Sequence, residues 1–149
     1  MKNSRRTKII VDILMTVFLA LSFIRWDGIG GAIYHFIVGI SCAFFFSLHV
    51  FIHRKWIRAT TKSFFAGKLS KVLSGKYIID MLLLIVWGIS IVTGFIAIVP
   101  FLSEMESVSG VGRLHGITAR IGLVLLIVHV IQHIPQIKSY LGIKKRKKK

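Results

Sequence analysis

The sequence predicts an all-α integral membrane fold of four transmembrane helices, built as two repeated helical hairpins. Three observations predict it. The 149 residues are 54% hydrophobic yet carry 21 Lys+Arg against 5 Asp+Glu, with a mean hydropathy of +0.74. The apolar and basic residues are segregated along the chain into long greasy runs and short charged connections. All six histidines fall into two sets with one shared spacing. A soluble domain this apolar would have no polar surface to offer water, and a formal charge of +16 would repel itself if spread through one fold. Composition therefore excludes a disordered chain, a soluble enzyme and a disulfide-stapled module. The single cysteine, Cys42, leaves no intrachain disulfide and no paired-cysteine metal or redox motif.

A hydrocarbon core takes roughly 20 apolar residues per helix. The first run, about Ile9 to Ile24, is short and holds Asp12 near its start. The second spans about Ala32 to Ile52. The third begins near Tyr77, contains Asp80 and reaches about Leu102; the fourth spans about Leu114 to Ile137 and contains Arg120. The whole chain reads as one four-helix domain. Repeat one covers about 9–53, a cytoplasmic loop 54–76, repeat two about 77–137, and a basic tail 138–149.

The basic residues set the orientation. Lys2, Arg5, Arg6 and Lys8 precede the first run, seven more lie between Arg54 and Lys76, and seven follow from Lys138. The remaining connections hold Arg25 and Arg113 with the acids Asp27, Glu104 and Glu106. The positive-inside rule then places both termini and the middle loop in the cytoplasm, as expected of a multi-pass protein of the cytoplasmic membrane. A cleaved signal peptide ending at Ala20-Leu21-Ser22 is the rival reading of the first run; it would leave an odd number of spans and break the repeat. Within the loop, Phe64, Phe65, Leu69, Val72 and Leu73 share one helical face flanked by lysines, which suits a short helix on the inner membrane surface; an irregular basic loop is the alternative. The terminal lysine-arginine run suits anionic lipid headgroups and topology rather than nucleic acid. Trp26, Trp56 and Tyr140 suit interfacial belts.

The repeat is clearest in its histidines. His35, His49 and His53 in the second run are spaced by 14 and 4, as are His115, His129 and His133 in the fourth. Val11-Asp12-Ile13-Leu14 likewise echoes Ile79-Asp80-Met81-Leu82. Fourteen helical residues return to within about 40° of the starting direction and climb about 21 Å. Each helix thus presents two imidazoles on one face, near opposite membrane surfaces. Parallel second and fourth spans would set His35 level with His115 and His49 level with His129. Two such level pairs suit two flat cofactors held by axial nitrogens.

Small residues recur between the ligands. The stripe His35, Gly39, Cys42, Phe46, His49 matches His115, Ala119, Gly122, Leu126, His129. Gly39 and Gly122 are candidates for porphyrin packing, with Gly88 and Gly94 relieving crowding in a similar way; small residues also serve helix–helix approach alone. Imidazole is a common axial haem ligand, and histidine at membrane depth is functional by default. The pairs His49/His53 and His129/His133 could instead bind zinc or copper. Against that, no carboxylate or thiolate is expected near either pair, and His35 and His115 would be left without a role. His53 and His133 read as interfacial histidines, donors to a haem propionate or alternative ligands. Arg120 is expected to pair with a propionate or a carboxylate. Asp12 and Asp80 read as interfacial or first-turn acids, or as quinone or proton contacts.

These residues resemble a known pattern. The H-x13-H spacing on the second and fourth of four helices looks like the di-haem core of cytochrome b and of ferric-reductase-like transmembrane domains. The finer texture resembles the flavinylation-associated cytochrome domains of bacteria: the Val11-Asp12-x-Leu14 opening, then His35-Phe36-Ile37-Val38-Gly39, then the run from His49 to Ile57 entering a basic stretch. The likeness covers about Ile9 to Ile137. It implies a cytochrome b-like bundle carrying electrons across the membrane, with two b-type haems or, alternatively, one. His35 with His115 would hold the outer haem iron and His49 with His129 the inner. It also implies a quinol or cytoplasmic-side donor and an extracytoplasmic, flavin-bearing acceptor. The larger relatives carry flavin, NAD(P)H or extracytoplasmic domains that this sequence does not show, so donor and acceptor are expected on other proteins. No catalytic residue is expected in the chain itself; it reads as an electron-transfer subunit. The other classes open to it are a haem-free membrane anchor or assembly subunit and a histidine-based metal-binding or transport protein.

Overall fold

The protein is described by a computed structural model covering residues 2–24, 28–103 and 109–140. Arg25, Trp26, Asp27, Glu104, Glu106, the tail from 141 and the side chain of Tyr140 lie outside the described residues. Among those described the structure is all-helical. Four helices follow in order: α1 (Lys2–Ser22), α2 (Gly28–Phe65), α3 (Lys71–Ser103) and α4 (Ser109–Tyr140). Gly30–Phe65, Lys71–Val99 and Gly110–Ser139 are long and apolar enough to cross a membrane. The first helix, expected as a fourth span, is not among these three: its opening turns carry Arg6 and Lys8, and little apolar length remains after them.

The helices exceed their apolar runs. At about 1.5 Å per residue the 38 residues of α2 reach about 57 Å, well beyond a hydrocarbon core of about 30 Å. Residues 54–65, expected in a loop, form the last three turns of α2. No Gly or Pro interrupts them, and hydroxyls bond back onto the helix, Thr61 to the Ile57 carbonyl at 2.8 Å and Ser63 to the Ala59 carbonyl at 3.0 Å. The turn comes at 66–70. Gly67 takes a left-handed φ of +65°, which ends α2. Ser70 caps α3: its hydroxyl accepts from the Leu73 amide at 3.4 Å and its carbonyl from the Ser74 amide at 2.9 Å. This break corrects the expected surface helix. Phe64 and Phe65 end one helix, Val72 and Leu73 begin the next, and no common face joins them.

The chain divides into two compact units, Met1–Ala66 with Ile98–Met105 and Gly67–Ala97 with Glu106–Lys149. In the first unit α1 packs on α2 as an antiparallel hairpin. Val11 and Leu19 from α1 and Val38, Cys42 and Ala43 from α2 are its buried apolar residues, and the Phe18 and Phe45 rings stack 5.3 Å apart. In the second unit Tyr77, Leu83, Ser90 and Thr93 of α3 and Thr118 of α4 are buried. Two of the buried hydroxyls find acceptors on their own helices, Thr93 at the Ile89 carbonyl (2.7 Å) and Thr118 at the Leu114 carbonyl (2.9 Å), while the Ser90 hydroxyl lies 3.5 Å from His115 Nδ1. Large apolar side chains such as Ile37, Phe44, Ile85 and Val124 point outward and are exposed. Water would not tolerate that exterior, whereas lipid matches it.

Gly67 sits where an L side chain strains the backbone. Gly67→Ala is expected to lower stability by about 1 kcal/mol, read as an earlier thermal transition in detergent. Gly67→Asn should cost less.

Candidate functional site

Each hairpin brings the same polar groups together at both ends. In the first, His49 of α2 places Nδ1 2.7 Å from Asp12 Oδ1 on α1. One end away, His35 Nδ1 lies 3.0 Å from the Ser22 carbonyl. In the second, His129 of α4 places Nδ1 2.7 Å from Asp80 Oδ1 on α3, and His115 Nδ1 lies 2.8 Å from the Ser90 carbonyl. The antiparallel packing explains the arrangement, because an early residue of one helix meets a late residue of the next. Asp12 precedes Ser22 by ten residues, as Asp80 precedes Ser90. The duplication therefore extends from the histidines to the groups that hold them.

These contacts choose a tautomer. A carboxylate or a carbonyl only accepts, so each ring donates from Nδ1 and its lone pair lies on Nε2. This is the arrangement typical of metal-ligating histidine, in which the non-ligating nitrogen is tied to a carboxylate or backbone carbonyl that fixes the ring. His35 is exposed, while His49, His115 and His129 are half-buried.

The third histidine of each set adds to one end. The His49 and His53 rings lie 4.6 Å apart between centroids, and those of His129 and His133 4.5 Å apart. His133 Nε2 is 3.5 Å from Asp80 Oδ2, and this buried nitrogen makes no hydrogen bond. Asp12 with His49 and His53, and Asp80 with His129 and His133, each offer ligand atoms within 4.8 Å of one another. This corrects the expectation that no carboxylate stands by the histidine pairs. Asp12 and Asp80 are distant in sequence from those pairs, and helix packing delivers them. It also replaces their reading as first-turn acids with one as histidine partners.

The glycines divide by function. A Cβ on Gly94 would meet His115 Cε1 at 3.0 Å and Nδ1 at 3.2 Å, so this glycine seats the imidazole. A Cβ on Gly122 would meet Trp87 Nε1 at 3.0 Å. Gly122 leaves room for that indole, as Gly94 does for the imidazole. At Gly39 and Gly88 nothing lies within 4 Å of an added Cβ. Arg120 is exposed and, among the described residues, forms no ion pair, so the expected carboxylate partner is not found there. Nearer the basic end, the Lys76 ammonium donates to the Gln132 carbonyl at 3.3 Å, three residues before Pro135.

Sequence reasoning did not reach the Ser22 and Ser90 carbonyls or Trp87. The matching ten-residue interval from each aspartate is the signal that points to the serines. Comparison with protein-family models, with curated proteins and with solved structures finds no match for this chain.

Gly94→Leu is expected to push His115 off the Ser90 carbonyl and to lower stability by about 1–3 kcal/mol through overpacking. Gly39→Ala should change it by less than about 0.5 kcal/mol. Thermal unfolding of the two variants in one detergent checks the contrast.

Proposed function

We propose that the chain is a four-span, b-type membrane cytochrome that carries electrons between the two faces of a cytoplasmic membrane. The observation that carries this reading is the set of four Nδ1 anchors, which hold four imidazoles at the same spacing in both hairpins; Nε2 is the nitrogen that would ligate. His35 with His115 would hold one haem, and His49 with His129 the other. When bound, each haem supplies one-electron redox chemistry. The residues of the chain do the rest. The four histidines would supply the nitrogen ligands that hold both groups. Asp12, Asp80 and the Ser22 and Ser90 carbonyls hold the rings in their ligating tautomer. The apolar helix exteriors keep the path in lipid, and the basic residues orient it with the His49 and His129 level toward the cytoplasm. The donor, a membrane quinol or a cytoplasmic-side reductant, and a flavin-bearing acceptor outside follow from the resemblance to flavinylation-associated cytochrome domains.

A second reading has its own observation. The two Asp-His-His triads are sets of two histidines and one carboxylate, which suit a first-row transition metal such as zinc or copper. It leaves His35 and His115 without a task, although both are also anchored at Nδ1, by backbone carbonyls.

Purified protein is expected to show reduced b-type absorption bands and two haems per chain by pyridine haemochrome. His49→Ala or His129→Ala should remove one equivalent, His35→Ala or His115→Ala the other, and a His35/His49 double substitution both. Protein without these bands that contains stoichiometric zinc or copper by elemental analysis would instead establish the triad reading.

A further inference from the structure

The four anchors are not alike, and their difference follows position along each hairpin. At one end of each hairpin the histidine donates to a carboxylate, His49 to Asp12 and His129 to Asp80, each at 2.7 Å. At the other end it donates to a neutral backbone carbonyl, His35 to Ser22 and His115 to Ser90, at 3.0 and 2.8 Å. The split occurs in both hairpins. From this we infer that Asp12 and Asp80 are positioning residues that lower the reduction potential of the haem at the His49/His129 level below that at the His35/His115 level. The inference rests on the di-haem reading above and adds an ordering of the two sites to it.

The physical argument concerns which oxidation state each partner favours. Ferric haem carries one more positive charge than ferrous haem. A carboxylate hydrogen-bonded to a ligand's Nδ1–H raises the basicity of that imidazole and adds a full negative charge one ring away from the iron. Both effects stabilise the ferric state more than the ferrous one. A backbone carbonyl contributes only a dipole, and its hydrogen bond lacks the charge assistance. Low dielectric magnifies the carboxylate's effect, and the Asp80 side chain is only 8% exposed. Solvation around each haem also acts on its potential, so the test isolates the carboxylates by removing their charge while keeping an acceptor. The ordering favours an electron residing at the outer level. It gives the conduit a direction of fall, from the basic, inner end of the bundle outward, without any difference in axial ligands.

Spectroelectrochemical titration of the purified full chain tests this. The unaltered protein should titrate as two one-electron components. Asp12→Asn and Asp80→Asn should each raise the lower component by a tenfold shift in its reduction equilibrium, about 59 mV for one electron, and leave the upper one in place. Asp80→Glu should restore most of the original value. The assignment is checked without touching either aspartate: the haem left in His35→Ala should titrate at the lower potential, and the haem left in His49→Ala at the upper. Two bound haems whose components both move, or both stay, in the Asn variants would overturn the inference while leaving the cytochrome reading intact. The reverse order in the single-haem proteins would do the same, and settles the matter even if an Asn variant loses its haem. Protein with no haem at all would instead remove the reading beneath it.

Discussion

The hydrogen bond from an imidazole Nδ1 to an acceptor on the preceding helix is the interaction on which the rest of each hairpin depends. A histidine ring inside an apolar helix carries a polar N–H that lipid cannot satisfy, and leaving it unpaired would cost about 1–3 kcal/mol. Each hairpin makes the bond twice, at levels about 21 Å apart on the histidine-bearing helix. Two such bonds fix both how far one helix slides along the other and how it is rotated. Apolar packing alone specifies neither closely, because leucine-like side chains interdigitate in neighbouring registers at similar energy. The Asp12–His49 and Ser22–His35 contacts therefore define a register for the stacked Phe18 and Phe45 rings to pack into.

The second hairpin repeats the register with different side chains. Seven residues beyond the aspartate stands Leu19 in one copy and Trp87 in the other; seven beyond the first histidine stands Cys42 in one and Gly122 in the other. Leu19 and Cys42 are both buried. In the second copy the larger indole is matched by the absence of a side chain on Gly122. The exchange keeps the summed volume of the two positions near constant, which is the kind of change a packed seam tolerates best. Gly94 does similar work for His115, whose ring occupies the space a Cβ would need. The polar anchors were kept and the apolar seam was repacked around them.

Satisfying polar groups within one helix accounts for most of the remaining architecture. Serine and threonine hydroxyls along all four helices turn back to carbonyls three or four residues earlier, so apolar helices carry them at little cost. The same local bonding lets α2 run on through its basic turns until the break at Gly67. Proximity in sequence had made Phe64 through Leu73 look like a single amphipathic face. One left-handed glycine and one capping serine divide that face between two helices, a backbone event that hydrophobic periodicity does not register.

Much of the molecule can be read from the chain because it is local. Helical state, apolar length and the intervals of 14 and 4 between histidines need only the 3.6-residue period and the count of residues along one helix. That reasoning located His35, His49, His115 and His129 as one duplicated set. It placed Asp12 and Asp80 near the right ends of their helices but gave them no partners, and it did not reach Trp87 beside Gly122. Those omissions share a cause. Asp12 and His49 are 37 residues apart and Asp80 and His129 are 49 apart, so their meeting depends on the rotation of two helices about separate axes. The period of a single helix says which residues share its face; only packing decides what that face meets.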